Sequence, residues 1–265
     1  MKNKDLKSNN LTYIINEIEY TINKLVLKHS SLKPKFKSKS KSKIDPVTSL
    51  DKIIEKSVVK IIEKNFPNHS IIGEEFDQKL GKSEYTWIID PLDGTKNYIL
   101  GIPTWSNLVG LQKKNKSILS FANFPMLEKY YLSLGNNSFV KKKKCKLKKI
   151  FSNKRVKSLN DAKVAINTFH TIKDKRVFNL MSKFKGIIKI TNADAYNFCL
   201  LSEGRIDVLI ESGLKKVDFF PLLALLRNSG AIITDWYGGN KFQNGQILVT
   251  ANKILHKEVL KKFRF

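Results

Sequence analysis

The stretch Trp87-Ile-Ile-Asp-Pro-Leu-Asp-Gly-Thr95 decides how this chain of 265 residues is interpreted. Its apolar start, Trp87–Ile89, predicts a buried strand, and Asp90 follows at the strand's end, where a carboxylate can leave the core. Pro91 is expected to stop the strand pairing, and Asp93 comes three residues after Asp90. Two carboxylates this close on a tight turn can converge on a hard divalent cation, which prefers oxygen ligands.

Gly94 and Thr95 complete the stretch. The glycine allows the backbone to approach a ligand closely, and amides at a following helix start can form a phosphate cradle. An Asp-Gly pair taken alone is more typical of a simple turn. The full run is much harder to obtain by chance, so we expect a metal and phosphate site at this turn.

Further carboxylates stand at the ends of other predicted segments. Ile71-Ile-Gly-Glu-Glu75 closes a second apolar strand, Asp51 opens a predicted helix, and Asp218 opens another. Helix capping is the alternative explanation for Asp51 and for Asp218. Because no basic residue is fixed beside these acids by the pattern, a divalent metal is the simplest common explanation.

Two of these motifs together resemble the inositol-monophosphatase superfamily, namely Asp90-Pro-Leu-Asp-Gly-Thr95 and, upstream of it, Gly73-Glu-Glu75. The resemblance extends from about Ile14 to Phe263. It implies a layered αβαβα sandwich of mixed α+β and α/β character. It also implies hydrolysis of a phosphate monoester by a water molecule in line, without a phosphoenzyme, aided by two or three Mg²⁺ ions.

The resemblance assigns a role to each matching residue. The implied metal ligands are Glu74, Asp90, the carbonyl of Leu92, Asp93 and Asp218. The implied catalytic residues are Glu74 and Thr95, which position and activate the attacking water, and Asp51, in the outer metal and water network. The implied substrate-binding residues are Asp93, Gly94, Thr95, Asp194, Glu211 and Asp218.

The chain departs from the family pattern in two places. The second signature, usually Trp-Asp-x-Ala-Ala, is Val217-Asp-Phe-Phe-Pro221 here, which keeps the acid but changes its neighbours. The lysine of the family's active-site loop has no unique match within Lys35–Lys43, and Lys41 is the best match.

Four stretches resemble the histidinol-phosphatase branch more than the inositol branch: Gly101–Trp105, Asn192–Asn197, Glu211–Asp218 and Ile233–Gly238. In that branch the acids matching Asp194 and Glu211 contact the organic part of the substrate. Histidinol carries an ammonium and an imidazole, which two carboxylates complement, whereas inositol is a neutral polyol.

Several alternatives remain open. Inositol phosphate and a sugar or nucleotide phosphate are competing substrates. Asp194 could instead cap a helix, and Glu211 could be a solvated strand end. A more distant alternative is a lysine-rich binder of nucleic acid or membrane surfaces on an inactive phosphatase scaffold.

The net charge of +26 needs its own explanation. Of the 49 basic residues only five are arginine, the residue preferred for reading bases and for bidentate phosphate contacts. Solvated surface lysine therefore explains the charge better than a nucleic-acid partner. The start of the chain lacks the apolar region of a signal peptide, and no apolar run is long enough to span a membrane.

The two cysteines, Cys145 and Cys199, are far apart, so neither a disulfide framework nor a zinc site is indicated. We expect a cytoplasmic protein whose partner is a small phosphorylated substrate, with no specific nucleic acid and no membrane. The resemblance suggests a homodimer.

The remaining pattern predicts two halves that form one catalytic unit. Residues 1–140 should form helices over 11–28 and 49–65 on an antiparallel sheet, with strands at 70–73 and 85–89 and hairpins at 107–121 and 130–140. Lys33–Lys43 should be a mobile basic loop, and Lys141–Lys149 the joint. Residues 150–265 should form an α/β half, with strands at 163–168, 186–190, 207–210 and 231–235 and helices at 176–184, 195–202, 219–229 and 254–263.

Overall fold

Two amphipathic helices form the outer layer of the first half. Helix α1 (Ser8–His29) and helix α2 (Ser49–Asn65) pack on each other and confirm the two helices expected there. Their buried residues belong to one core cluster with the first sheet; on these helices they are Leu11, Ile14, Ile15, Ile18, Ile22, Val26, Leu50, Ile54, Val58, Ile61 and Ile62. This spacing gives each helix one apolar face, so burial against the sheet stabilises both.

The computed structural model describes residues 8–29, 36–38, 46–166, 188–190 and 193–263, with Lys175, Val177 and Asn179.

A short ribbon precedes α2. Strand β1 (Phe36–Ser38) pairs antiparallel with β2 (Pro46–Thr48). Within Lys33–Lys43, where a loop was expected, Phe36–Ser38 forms a paired strand, because backbone pairing does not require apolar side chains; the expected mobility stays a prediction. Lys41 lies outside the described residues.

The first sheet has seven strands in the order β3-β4-β5-β6-β7-β8-β9. The strands are β3 (Ser70–Ile72), β4 (Tyr85–Asp93), β5 (Ser106–Lys113), β6 (Lys116–Phe124), β7 (Lys129–Leu134), β8 (Asn137–Lys142) and β9 (Lys148–Lys149). The expected hairpins β5-β6 and β7-β8 are confirmed. The sheet is not wholly antiparallel, since β3 runs parallel to β4.

The expected joint at Lys141–Lys149 belongs to this sheet. Lys141 and Lys142 end β8, and Lys148–Lys149 is the last strand in the sheet order, with both lysines exposed. Lysine is well tolerated on an edge strand, where it discourages pairing with other chains. The first sheet therefore extends past residue 140, to Lys149.

Strand β4 does not end at Ile89 as expected. Its pairing with β5 continues through a register shift between Asp90, opposite Leu108, and Asp93, opposite Ser106. An irregularity of this kind accommodates Pro91, which has no N–H for a regular ladder. Both aspartates are therefore held on a strand and not on the tight turn that was expected. Helix α3 (Thr95–Leu100) follows directly.

The second sheet has five strands in the order β11-β10-β12-β14-β13. They are β10 (Val164–Ile166), β11 (Ile188–Ile190), β12 (Val208–Glu211), β13 (Ile232–Thr234) and β14 (Ile247–Thr250). Strand β10 runs parallel to β11 and β12, whereas β14 runs antiparallel to β12 and β13. The sequence prediction omitted β14. Of the helix expected over residues 176–184, only Val177 and Asn179 are described.

Four helices of the second half lie wholly within the described residues: α4 (Ala195–Ser202), α5 (Lys216–Phe219), α6 (Leu223–Ser229) and α7 (Lys253–Phe263). A single helix over 219–229 was expected. Instead, a 3-10 turn (Phe220–Leu222) with Pro221 at its start separates α5 from α6, because proline lacks the N–H for continuous α-helical bonding.

The layers follow from the core clusters. Helices α4 and α6 lie between the sheets, sharing one cluster with Leu108 and Tyr131 of the first sheet and Leu209 of the second. Helix α7 packs on the other side, where Leu255 joins Val208. The order is therefore helices, sheet, helices, sheet, helix, which confirms the αβαβα sandwich. No helix in the described parts of the chain is long and apolar enough to cross a membrane.

Candidate active site

Two buried aspartates of β4 form the centre of the site. Asp90 Oδ1 accepts a hydrogen bond from the Leu92 amide at 3.0 Å. Asp93 Oδ2 accepts from Ser106 Oγ at 3.1 Å and from the Ala195 amide at 3.0 Å. Since Ala195 begins α4, this last bond joins the first half of the chain to the second.

The electrostatics show that the predicted metal ligands lie near one another. Burial raises the pKa of Asp90 well above its usual value, and repulsion from Glu74, Asp93 and Asp218 raises it further. The pKa of Asp93 is raised in the same way, by burial first and then by neighbouring carboxylates. Burial also raises the pKa of Asp218 to about 7. Carboxylates that are buried close together repel one another, and this repulsion raises the pKa of each. A bound cation would neutralise the repulsion.

Asp218 and Glu74 are joined through Lys215, a residue that the sequence argument did not single out. The Lys215 amide donates to Asp218 Oδ2 at 2.7 Å, so Asp218 does cap the start of α5. The Lys215 ammonium lies 3.0 Å from Glu74 Oε1. Asp218 therefore performs the capping role considered as an alternative while lying within reach of the other acids.

Asp51 also caps a helix. Its Oδ2 accepts from the Thr48 amide at 3.0 Å and from the Thr48 hydroxyl, which closes a capping box at the start of α2. Burial raises its pKa to about 6, and the charge of Glu75 adds to the rise. Asp51 thus lies near Glu75, while its part in a metal and water network stays a prediction.

The turn after Asp93 has the backbone that only glycine adopts without strain. Gly94 has φ +77°, and a Cβ there would lie 3.0 Å from Asp194 Oδ2. Thr95 begins α3, and its hydroxyl donates to the carbonyl of Leu92 at 3.1 Å. The structure therefore brings Leu92, Gly94, Thr95 and Asp194 together.

Asp194 occupies the residue before α4 but does not cap it. Its side chain makes no capping hydrogen bond, its φ of 39° and ψ of −120° are strained, and Asn97 Nδ2 lies 3.5 Å from its Oδ2. Burial raises its pKa to about 6, against the opposing charge of Lys96. The capping alternative is wrong for the side chain, which instead faces the Gly94 turn.

Glu211 ends β12 and its side chain is buried, so the alternative of a solvated strand end is wrong. Its carbonyl accepts from Trp236 Nε1 at 3.0 Å. Its contact with a substrate stays a prediction.

Glu55 is a residue near the site that was not predicted from the sequence. It accepts hydrogen bonds from the amides of Glu74, Glu75 and Phe76. One signal could have indicated it. Glu55 lies four residues after Asp51, on the same face of α2, at a position where an apolar residue would otherwise be expected.

Mg²⁺ requires oxygen donors that converge on one point. Within the described residues, no three His, Cys, Asp or Glu side chains form a group that could hold a metal ion. The predicted ligands are thus neighbours that do not close around one point. Their chemistry fits Mg²⁺, because they are oxygen donors whose mutual repulsion a divalent cation would neutralise.

This fold and this set of buried aspartates beside a glycine turn are those of a phosphatase of the divalent-metal class. A model of the inositol monophosphatase family matches residues 8–265. The chain belongs to that family, whose members are Mg²⁺-dependent phosphatases, and is accordingly a phosphate monoester hydrolase.

Three relatives illustrate the similarity. The chain is 32% identical to the bifunctional phosphatase IMPL2, chloroplastic, of Arabidopsis thaliana over 77% of its own length, and spans only 58% of that protein. It is 33% identical to the fructose-1,6-bisphosphatase/inositol-1-monophosphatase of Aquifex aeolicus, over 83% of this chain and 82% of that one. It is 26% identical to the histidinol-phosphatase of Mycobacterium tuberculosis, over 83% of this chain and 85% of that one.

Solved structures show the same fold. The native suhB protein of Bartonella henselae superposes with a TM-score of 0.84 at 21% identity, covering 96% of this chain and 98% of that one. An IMPase/NADP phosphatase complexed with Mg²⁺ and phosphate gives a TM-score of 0.82 at 19% identity, covering 96% and 95%.

Proposed function

We propose that the substrate of this phosphatase is L-histidinol phosphate, which it converts to L-histidinol in histidine biosynthesis. The observation that carries the proposal is the position of Asp194, a half-buried carboxylate that does not cap its own helix and lies against the Gly94 turn. A cationic alcohol bound beside Asp194 would relieve the electrostatic cost of burying this acid. Glu211 is proposed as the second acid facing the substrate, and the relative named histidinol-phosphatase supports the same substrate class.

We assign a separate role in the proposed reaction to each residue of the site. Glu74, Asp90, Asp93, Asp218 and the carbonyl of Leu92 would hold Mg²⁺. When bound, Mg²⁺ would supply positive charge for the phosphate oxygens and lower the pKa of a water molecule. Glu74 and Thr95 would orient the attacking water opposite the ester oxygen. As the bond from the water oxygen to phosphorus forms, the bond to the ester oxygen breaks; one proton of the water stays on the phosphate product and the other passes to the released alcohol oxygen.

The test is a comparison of kcat/KM with Mg²⁺ for histidinol phosphate, inositol-1-phosphate and fructose-1,6-bisphosphate. We expect histidinol phosphate to have the highest value. Asp194→Asn should lower kcat/KM for histidinol phosphate about tenfold, the equivalent of one lost contact to a cation, and change the value for inositol-1-phosphate much less. Equal or reversed preferences would contradict the substrate and leave the phosphatase class intact.

The class itself is tested by Asp93→Asn. This change keeps the size of the side chain and removes the charge, so turnover should fall on the order of a thousandfold with all substrates while the variant still unfolds cooperatively. Near-normal turnover in a folded variant would remove the metal mechanism.

A second candidate substrate is favoured by one observation, the 33% identity to the Aquifex aeolicus fructose-1,6-bisphosphatase/inositol-1-monophosphatase. Under that alternative a neutral polyol or a sugar phosphate is preferred, and Asp194→Asn affects all substrates alike. The same three-substrate comparison distinguishes the alternatives.

We also propose that the enzyme works in the cytoplasm as a homodimer, without a nucleic-acid or membrane partner. Cys145 and Cys199 are both free thiols, which suits a reducing compartment. Sedimentation should give twice the mass of the chain. Micromolar binding to duplex DNA that persists at physiological salt would contradict the absence of a nucleic-acid partner.

A further inference from the structure

Glu55 is a buried acid in the middle of α2 with its side chain directed at the segment that carries Glu74. Its side chain is 1% exposed. A charged group is buried this completely only where hydrogen bonds replace its lost hydration. The hydrogen-bond partners of this carboxylate therefore indicate its structural role.

Three consecutive amides donate to Glu55. Oε2 accepts from the amides of Glu74 at 3.0 Å and Glu75 at 2.9 Å, and Oε1 accepts from the amide of Phe76 at 3.1 Å. Hydrogen bonds to an ionised acceptor are about twice as strong as neutral ones. The backbone of residues 74–76 is thus wrapped around one carboxylate.

Gly73 shows how closely the chain follows that carboxylate. A Cβ at Gly73 would lie 1.9 Å from Glu55 Oε1, which no side chain could tolerate without moving one of the two residues. The φ of Gly73 is not positive, so the close approach, and not backbone conformation, requires glycine here.

On one flank this segment borders open space. Glu55, Gly73 and Phe76 help to line a cavity of about 270 Å³ between α2 and the end of β3. A packed core therefore does not hold the segment on that flank, and the charged hydrogen bonds to Glu55 carry more of the constraint.

We propose that Glu55 is a positioning residue, which fixes the backbone at Glu74 so that the Glu74 carboxylate is held towards Asp90 and the other acids of the site. The role rests on the proposed function, because it gives Glu74 a place among the Mg²⁺ ligands. Glu55 holds the backbone amide of Glu74, whereas the proposed metal ligand is the Glu74 side chain.

Glu55→Gln is the decisive variant. Glutamine keeps the shape but has a single acceptor oxygen, so its NH₂ group must face at least one amide N–H, donor against donor. The segment should loosen, and Mg²⁺ affinity should fall at least tenfold, as is typical when a residue that orients a metal ligand is lost.

Glu63→Gln is the matched control. Glu63 lies on the same helix and pairs with Lys79 at 2.7 Å, but both side chains are exposed. The same chemical change there removes an ion pair without touching residues 74–76, so wild-type affinity is expected.

The experiment measures Mg²⁺ binding by calorimetry without substrate, and amide hydrogen exchange at residues 74–76. Weaker Mg²⁺ binding together with faster exchange at these amides in Glu55→Gln, but not in Glu63→Gln, supports the proposal. Wild-type affinity in a folded Glu55→Gln protein overturns it. Weaker binding without faster exchange also overturns it, because the effect would not pass through the segment.

Two further outcomes are distinguishable. If Glu55→Gln does not fold, Gly73→Ala forces the same carboxylate away from the segment and should give the same loss of affinity; a folded Gly73→Ala protein with wild-type affinity overturns the proposal. Wild-type protein that binds no Mg²⁺ overturns the proposed function and this role with it. Failure to hydrolyse histidinol phosphate, with metal binding intact, leaves the role of Glu55 standing.

Discussion

His69 is a buried histidine whose neighbours require the neutral ring. Its Nδ1 accepts a hydrogen bond from Trp87 Nε1 at 3.0 Å, and its ring stacks on Phe66 and Tyr85 with centroid distances of 4.8 and 4.9 Å. Burial lowers the pKa of His69 to about 4. A proton on Nδ1 would remove the acceptor and place a charge in an apolar stack.

We predict that this histidine makes the fold sensitive to mild acid. Between pH 6.5 and about 4 the unfolded chain binds the proton and the folded chain does not, so stability is complete above pH 6.5 and falls below it. The loss should reach on the order of 2 kcal/mol. Urea unfolding of wild type and His69→Gln at pH 7.5 and 5.0 measures it: the variant should lose less stability on acidification.

The carboxylates titrate in both wild type and His69→Gln. Their contribution to the acid loss of stability therefore cancels when the two proteins are compared. His29→Gln, at the partly exposed end of α1, is the control and should follow wild type. An equal acid loss in His69→Gln and wild type would contradict the prediction.

Three aspartates show how far the sequence predicts the role of a single residue: Asp51, Asp194 and Asp218. Each precedes or opens a helix, and the sequence left capping and ligand roles open for all three. Capping depends on local backbone geometry, whereas the approach of Glu75 to Asp51 or of Gly94 to Asp194 comes from distant parts of the chain. The sequence therefore singled out these acids but could not decide what each one contacts.

At the level of elements, strand β5 and the 3-10 turn between α5 and α6 are in direct backbone contact. A Cβ on Gly110 of β5 would lie 2.6 Å from the Cα of Pro221. Because Asp218 lies just before this turn, the contact helps to fix how the second half presents Asp218 to the first. The unusual Phe-Phe-Pro sequence after Asp218 is accommodated by glycine on the facing strand.

We predict that Gly110→Ala destabilises the protein by about 2–3 kcal/mol, at the upper end of over-packing, because the added methyl group meets backbone that cannot rotate away. Gly135→Ala is the control. No atom lies within 4 Å of its added Cβ, so only its φ of +63° opposes alanine, at about 1 kcal/mol. Urea unfolding measures both; a Gly110→Ala protein as stable as Gly135→Ala would show that the turn yields.

Elements with a clear period were predicted well, and those decided by distant pairing were not. Helices α1 and α2 and the hairpins follow from local apolar spacing. The parallel pairing of β3 with β4, the continuation of β4 through Pro91 and the existence of β14 depend on neighbouring strands. Glu55 and Lys215 were missed for the same reason: each acts on a segment far away in sequence.

At the scale of the molecule, the site is assembled from both halves. Asp90, Asp93 and Glu74 come from the first half, whereas Asp194 and Asp218 come from the second. The contacts that cross between the halves at the site include those from the Ala195 amide to Asp93 and from Lys215 to Glu74. Without a cation, the remaining carboxylates repel each other across this junction. The charge on these acids therefore influences the stability of the whole fold.

We predict that Mg²⁺ raises the Tm, and that it does so more at pH 8 than at pH 5.5. Burial raises the pKa of Asp51 to about 6 and of Asp218 to about 7. For groups with a raised pKa, the metal-free fold is favoured at low pH and loses stability as pH rises through that pKa, when the charges appear. Mg²⁺ binds the charged carboxylates, so it should raise the stability of the fold most at the pH where their mutual repulsion is greatest. At low pH, protons compete with Mg²⁺ for the same carboxylates.

Thermal unfolding with EDTA or with Mg²⁺ at a hundred times its Kd should differ by roughly 5–10 °C at pH 8. NaCl of equal ionic strength is the control for screening, which weakens all charge repulsion without binding the site. Asp93→Asn should lose most of the Mg²⁺ effect, since it removes a ligand at the junction. A rise that NaCl reproduces would mean that ionic screening, and not a cation held between the halves, raises the Tm; a rise that is equal at both pH values would contradict binding to acids that titrate in this range.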